Sequence, residues 1–171
     1  EYQKHTYSLV ISLENTIINF KLEGNSYKSK GILSIRPGVS LFFEEIKKYY
    51  EIIVFSLYGK KNADNIMDVL EGKNKFIDYR LYRNYSIVKD NEFIKDLSRL
   101  GRDIDKMIII DNCPQYYCLQ KENSINIRSY WEEDINDTVL IDLIPILINI
   151  ANEGGDVRQR LIKLEDAIVS K

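Results

Sequence analysis

Three short apolar runs in this chain each stop on residues able to do chemistry. Ser8 to Leu13 is followed by Glu14-Asn15-Thr16, Ile52 to Phe55 by Ser56, and Met107 to Ile110 by Asp111-Asn112-Cys113-Pro114. Apolar runs of this length bounded by turn formers read as buried strands, and a parallel sheet gathers its ligands beyond the strands' carboxyl ends. Ser12, Glu14, Ser56, Asp111 and Asn112 are therefore the first candidates for a site. Other reactive residues are poorer candidates. Cys113 and Cys118 have neither the pairing nor the spacing of zinc ligands and read as core or loop thiols. His5 stands in the N-terminal arm without a Ser or Cys constellation around it. Lys95, before Asp96-Leu97-Ser98, reads by residue type alone as an exposed charge.

The bulk composition narrows the setting. The 171 residues include 24 Lys and Arg against 26 Asp and Glu, a formal charge of −2. That balance argues against a chain dominated by nucleic acid or anionic membrane, and the mixed signs of Lys95 to Lys106 do the same locally. One domain with one sizeable core is expected over residues 1–171. Two cysteines make no disulfide framework, so a reducing, intracellular compartment is expected. No apolar run approaches the roughly 20 residues of a membrane span, and no signal or transit pattern opens the sequence. Because the first residue is not methionine, a fragment or processed product is expected.

The elements that must position the site follow from periodicity. Lys21 to Gly31, with Gly24-Asn25-Ser26 as turn signal, reads as a loop or small hairpin. Val39, Phe42, Phe43, Ile46, Tyr49 and Tyr50 have helical spacing after Pro37-Gly38, and Ala63, Ile66, Met67 and Leu70 give a second helix ending near Gly72. This strand-helix alternation predicts a parallel sheet covered on both faces. Phe76 to Tyr82, Tyr85 to Val88 and Glu92 to Ile94 read as short β pieces, with Asp90-Asn91 as a hairpin turn. Ile104 to Ile110 and Ser124 to Ile127 return to the sheet. Asp137 is placed to cap a helix from Val139 to Ile150, kinked or divided by Pro145 and ended by Gly154-Gly155. Val157, Leu161, Leu164 and Ile168 form the apolar stripe of a last helix.

Several segments, in order, carry a resemblance. They are Arg36-Pro37-Gly38-Val39, Phe55-Ser56, Lys95 to Asp103, Ile110 to Pro114, Asn136-Asp137-Thr138 and Asp156-Val157-Arg158. The series resembles the phosphatase domain of the haloacid dehalogenase superfamily. More narrowly, it is similar to the small C-terminal-domain phosphatases, also called NLI-interacting-factor-like. The resemblance implies an α/β fold, a haloacid dehalogenase-like Rossmannoid three-layer sandwich. It has a parallel central sheet and a small antiparallel β insertion at about residues 76–95.

In that family an aspartate attacks phosphorus while Mg²⁺ offsets charge on the transferring group. The resemblance places Ser12 where that nucleophile stands, Glu14 at the general acid, Ser56 and Lys95 at the phosphate, and Asp111 and Asn112 at the metal. Where the family has Asp-Leu-Asp-x-Thr, this chain has Ser12-Leu13-Glu14-Asn15-Thr16. A serine hydroxyl is un-ionised at neutral pH and supplies no charged oxygen to Mg²⁺. Ser12 is thus expected only to bond nearby backbone, and Glu14 to be solvated or salt-bridged. No cofactor is expected, with Mg²⁺ held at most weakly by Asp111 and Asn112.

The function so implied is that of a pseudophosphatase rather than an enzyme, serving as a protein-binding, scaffold or accessory subunit. Ser12-Leu13-Glu14, Phe55-Ser56 and Leu119-Gln120-x-Glu122-Asn123 also resemble the mitochondrial inner-membrane receptor of the presequence translocase. Asp111-Asn112-Cys113-Pro114 and Asn136-Asp137-Thr138 look more like the small phosphatases. Two alternatives follow, a weak Mg²⁺-dependent phosphatase of phosphoserine or phosphothreonine proteins and a presequence-import receptor. Mitochondrial placement is expected ahead of nuclear or cytosolic. The partner is expected to be a protein or larger complex, with peripheral association to a membrane complex and no nucleic acid. Tyr58, Arg83 and Tyr85, beside Lys60, Lys61 and Tyr82, are the expected partner surface. The alternative is that these tyrosines cover the β insertion.

Overall fold

The structure, a computed structural model, describes residues 5–23 and 30–169. Its centre is β1 (Tyr7–Ser12), buried at every position. β1 pairs in parallel with β4 (Tyr50–Phe55) on one side and β8 (Met107–Asp111) on the other. The short strands β5 (Tyr79–Leu81) and β9 (Ser124–Asn126) extend the sheet to the order β5-β4-β1-β8-β9. All four pairings are parallel. Such strands are buried on both faces and need continuous apolar sequence, which accounts for the Leu-Val-Ile and Ile-Ile-Ile runs.

Side chains alternate between the two faces. Leu9, Ile11, Val54 and Ile110 meet Phe42, Phe43, Met67, Leu140, Leu147 and Val157. Those partners come from α1 (Val39–Ile46), α2 (Lys60–Glu71), α3 (Val139–Glu153) and α4 (Val157–Val169). Val10, Ile53, Phe55 and Ile109 pack the opposite face against Leu97 and Tyr117, from short 3₁₀ turns. Each fully buried apolar side chain contributes about 1.5–3 kcal/mol.

Before α1, β2 (Ile18–Glu23) and β3 (Lys30–Ile35) pair antiparallel, so the stretch read as loop or hairpin is a hairpin. Its turn signal, Gly24-Asn25-Ser26, lies outside the described residues. Gly38 begins α1 at φ 82, a conformation open to glycine, and a Cβ there would meet Ile141 of α3.

Four boundaries differ from the sequence expectation. α1 stops at Ile46 and Tyr50 already pairs with Tyr7, because the pull of the sheet outweighs the helical spacing of Tyr49 and Tyr50. Within 76–95, only β6 (Ile87–Lys89) and β7 (Glu92–Ile94) are antiparallel, while β5 joins the main sheet and Arg83–Tyr85 is a 3₁₀ turn. Ile104–Lys106 is a 3₁₀ turn as well, so β8 starts only at Met107. α3 runs unbroken through Pro145, whose ring sits on the exposed side. Gly154, at φ 70, ends that helix as expected. Val157 and Leu161 of α4 are buried; the side chains of Leu164 and Ile168 lie outside the described residues.

Candidate functional site

Register brings the polar strand ends together. Ser12 lies opposite Phe55, and Ile11 opposite both Val54 and Ile110, so Ser12, Ser56 and Asp111 share one end of the sheet. The segment after β1 then turns sharply, with the N–H groups of Ile17 and Ile18 both donating to the Leu13 carbonyl at 3.1 Å. Asn15 takes φ 51 there, and asparagine tolerates that region better than most residues. This turn sets Glu14 beside Ser56.

Lys95 reaches the same end of the sheet. It directly follows β7, and its N–H donates to the Tyr116 carbonyl at 2.6 Å, fixing the stem. The ammonium is fully buried, 2.7 Å from Ser12 Oγ and 2.6 Å from Asp111 Oδ2. The rings of Phe55 and Tyr116 lie 5.8 and 5.4 Å from it. The lysine that residue type alone reads as exposed is therefore the buried centre of the site. Ser12, expected to bond backbone, instead accepts from this side chain. The second Asp111 oxygen accepts the Cys113 N–H at 3.0 Å.

Glu14 is half-buried and takes a different set of donors. Its Oε1 accepts from the Ser56 hydroxyl and, at 3.0 Å, from the Tyr58 N–H. It is thus neither freely solvated nor salt-bridged, contrary to the expectation, because the β4 end supplies neutral donors at that level. Burial, and next the Glu14 charge, push the Tyr58 phenol upward. Tyr116 is pushed the same way, by burial first and then by Cys113, Asp111, Glu92 and Glu14. Both phenols are neutral at neutral pH. Asn112 reaches Thr16 and Ser129 across the loop. Among the described residues, no group of three or more His, Cys, Asp and Glu side chains is placed to hold a metal.

The expected partner surface is divided between two clefts. Arg83 and Tyr85 line one of about 420 Å³ with Gly59, Lys60, Tyr82 and Asn84. Tyr58 lines another of about 290 Å³ with Phe20, Asn62, Asn65 and Ile66. Lys61 is exposed. Tyr82 is buried, donating to Asp64 at 2.6 Å and accepting from Lys60 at 3.1 Å, so it anchors the wall rather than offering a free face.

Residue reading missed one pair that supports the whole edge. Arg36 donates to Asp137 through Nε at 2.9 Å and a terminal nitrogen at 2.8 Å, with both side chains fully buried. Its remaining nitrogen reaches the Thr16 carbonyl at 3.0 Å, tying the loop after β1 to the entry of α3. Each residue stood in a segment that carried the resemblance; Asp137 was read only as a helix cap, a role it also fills by accepting the Val139 N–H at 3.0 Å, and the charge of Arg36 was the available signal.

Known proteins are similar to this chain in sequence and in fold. The family model described as NLI interacting factor-like phosphatase matches residues 7–158. The chain is 32% identical to CTD small phosphatase-like protein 2 of Dictyostelium discoideum, over 94% of this chain and 30% of that protein. It is 37% identical to mitochondrial import inner membrane translocase subunit tim50 of Neurospora crassa, over 93% of this chain and 29% of that protein. The chain thus spans under a third of either relative. The solved structure of Fcp1, an essential RNA polymerase II CTD phosphatase, superposes with a TM-score of 0.61 at 21% identity. That match covers 93% of this chain and 49% of that one, and it shows the same fold. Since the family's sequence pattern runs from the first residue of β1 to the start of α4, taking in every strand end that builds the site, the chain belongs to the NLI interacting factor-like phosphatase family.

Proposed function

We propose that this chain is a catalytically inactive phosphatase-like domain that works by binding a protein partner. The observation that carries the reading is the buried Lys95 ammonium joined to both Ser12 and Asp111. A nucleophile at this position needs a charged oxygen or a base to take its proton. Ser12 has neither, because Lys95 is the donor in both contacts and supplies no lone pair. Glu14, the carboxylate just beyond the end of β1, is committed to Ser56 and Tyr58. Partner binding is assigned to the clefts of Tyr58, Arg83 and Tyr85, where exposed aromatic and guanidinium groups offer large contact area.

Turnover of an aryl phosphate with Mg²⁺ tests the reading. Wild-type protein is expected to release no phosphate above a heat-killed control. Mg²⁺-dependent release that Ser12→Ala abolishes would overturn inactivity and favour a weak protein phosphatase. A second reading, a receptor or accessory subunit in mitochondrial import, is favoured by the 34–37% identity to several translocase subunits. Crosslinking in isolated mitochondria to an imported presequence tests it, and an unlabelled chain outside mitochondria would speak against it.

A further inference from the structure

The fold family implies a divalent cation at the end of β1 and β8, and the donors present do not fit one. Mg²⁺ demands near-octahedral oxygen, with at least one free carboxylate and several waters. Here the chain's own N–H groups hold the oxygens that would serve. Asp111 Oδ2 and Ser12 Oγ share the Lys95 ammonium, and Asp111 Oδ1 accepts from Cys113 N–H.

Asn112 completes the closure. The amide atom facing the loop lies 3.1 Å from Thr16 Oγ1, 3.2 Å from the Glu14 carbonyl and 3.3 Å from Asp111 Oδ1. An oxygen there would face two atoms that can only accept, so the nitrogen belongs there, and the amide oxygen then accepts the Ser129 hydroxyl at 3.0 Å. The Glu14 carbonyl, another oxygen available to a metal, is thereby satisfied as well. Charge points the same way. Lys95 and Asp111 cancel, and the Glu14 carboxylate is held by Ser56 and Tyr58 on the β4 side. A dication would have to displace an ammonium with no exposed surface of its own.

We propose that Lys95 is the resident cation of this site and that, together with the Asn112 amide, it closes the position to a divalent metal. The inference stands apart from the binding reading. Turnover without metal would refute that reading and leave this one intact.

Mn²⁺ alone is the probe, followed by the loss of the free-ion electron paramagnetic resonance signal as the full chain is titrated. Wild-type protein is expected to bind no Mn²⁺ with a dissociation constant below about 1 mM, and to keep its thermal midpoint when Mg²⁺ is added. Ser12→Asp adds a carboxylate against Lys95 and should bind one Mn²⁺ at least about tenfold more tightly. Lys95→Met, which frees Asp111, should gain affinity in the same sense. Where Lys95→Met does not fold, Lys95→Gln, which removes the charge and keeps a polar donor, carries the comparison. One Mn²⁺ bound by wild type below about 100 µM, and lost in Asp111→Asn, overturns the inference. So does the absence of any gain in the variants that fold.

Discussion

Lys95 is buried with Asp111 as its ion partner, so the consequence of removing it is set by what it leaves behind. A buried pair replaced whole by apolar groups is often neutral, whereas a broken pair costs about 3–5 kcal/mol because one charge is stranded. Lys95→Met should therefore lower stability by about that amount, and adding Asp111→Leu should recover most of it. Urea denaturation of the two variants measures the difference. A single variant that loses less than about 1 kcal/mol would mean that water reaches Asp111. The placement of Ser12, Glu14, Ser56, Asp111 and Asn112 was legible because each ends an apolar run that can only be a buried strand. Lys95 was not, since the polar Asp96 and Ser98 that follow it make the segment read as surface, and its burial depends on the β6-β7 hairpin that precedes it. Nor could spacing along the chain reveal the grip of Arg36 on Asp137, 101 residues apart.

Among the elements, the loop after β1 and the start of α3 are held by one carboxylate. Burial pushes the Asp137 carboxyl up, but hydrogen bonds from Arg36 and the Val139 N–H, with the charges of Arg36 and Arg128, hold it below the ordinary 3.8. A carboxyl that titrates lower in the folded chain than in the unfolded one binds fewer protons there. Its contribution is complete above the unfolded value and is lost as pH falls through the folded one. Wild-type stability should thus decline from about pH 4 downward more steeply than that of Asp137→Asn, which has no such proton to bind. Urea midpoints along that range give the comparison, and equal slopes would show that Asp137 is not the group responsible. Element types were legible where periodicity was sustained, as in α2 and α3. Boundaries were missed where one pattern runs into another: Tyr49 and Tyr50 continue the stripe of α1, yet Tyr50 is taken by the sheet and its hydroxyl bonds the Leu147 carbonyl at 2.7 Å. The turn of the β6-β7 hairpin was readable because Asp90 and Asn91, at φ 52 and 65, are residues that accept positive φ.

For the molecule as a whole, the scaffold and the proposed partner surface should be separable by substitution. Arg83 and Tyr85 are exposed and Tyr58 is half-buried, so replacing all three with alanine should move the thermal midpoint by no more than about 5 °C. The same variant should lose the native partner in a pull-down from source cells, and retention of every partner by a folded triple variant would move the interface elsewhere. The overall architecture was legible because parallel strands need continuous apolar sequence; the division of the surface into two clefts was not, since it follows from how Tyr82 closes against Asp64 and Lys60. The position of β1 has a further effect, on time rather than on shape. The central strand is made before both of its neighbours, since Tyr50 follows Tyr7 by some forty residues and Met107 follows it by roughly a hundred. Until both neighbours emerge, Leu9, Val10 and Ile11 have no edge to pair with and no layer to cover them. Completion of the sheet therefore waits for β8, and a holdase that recognises short apolar strands has its target in β1.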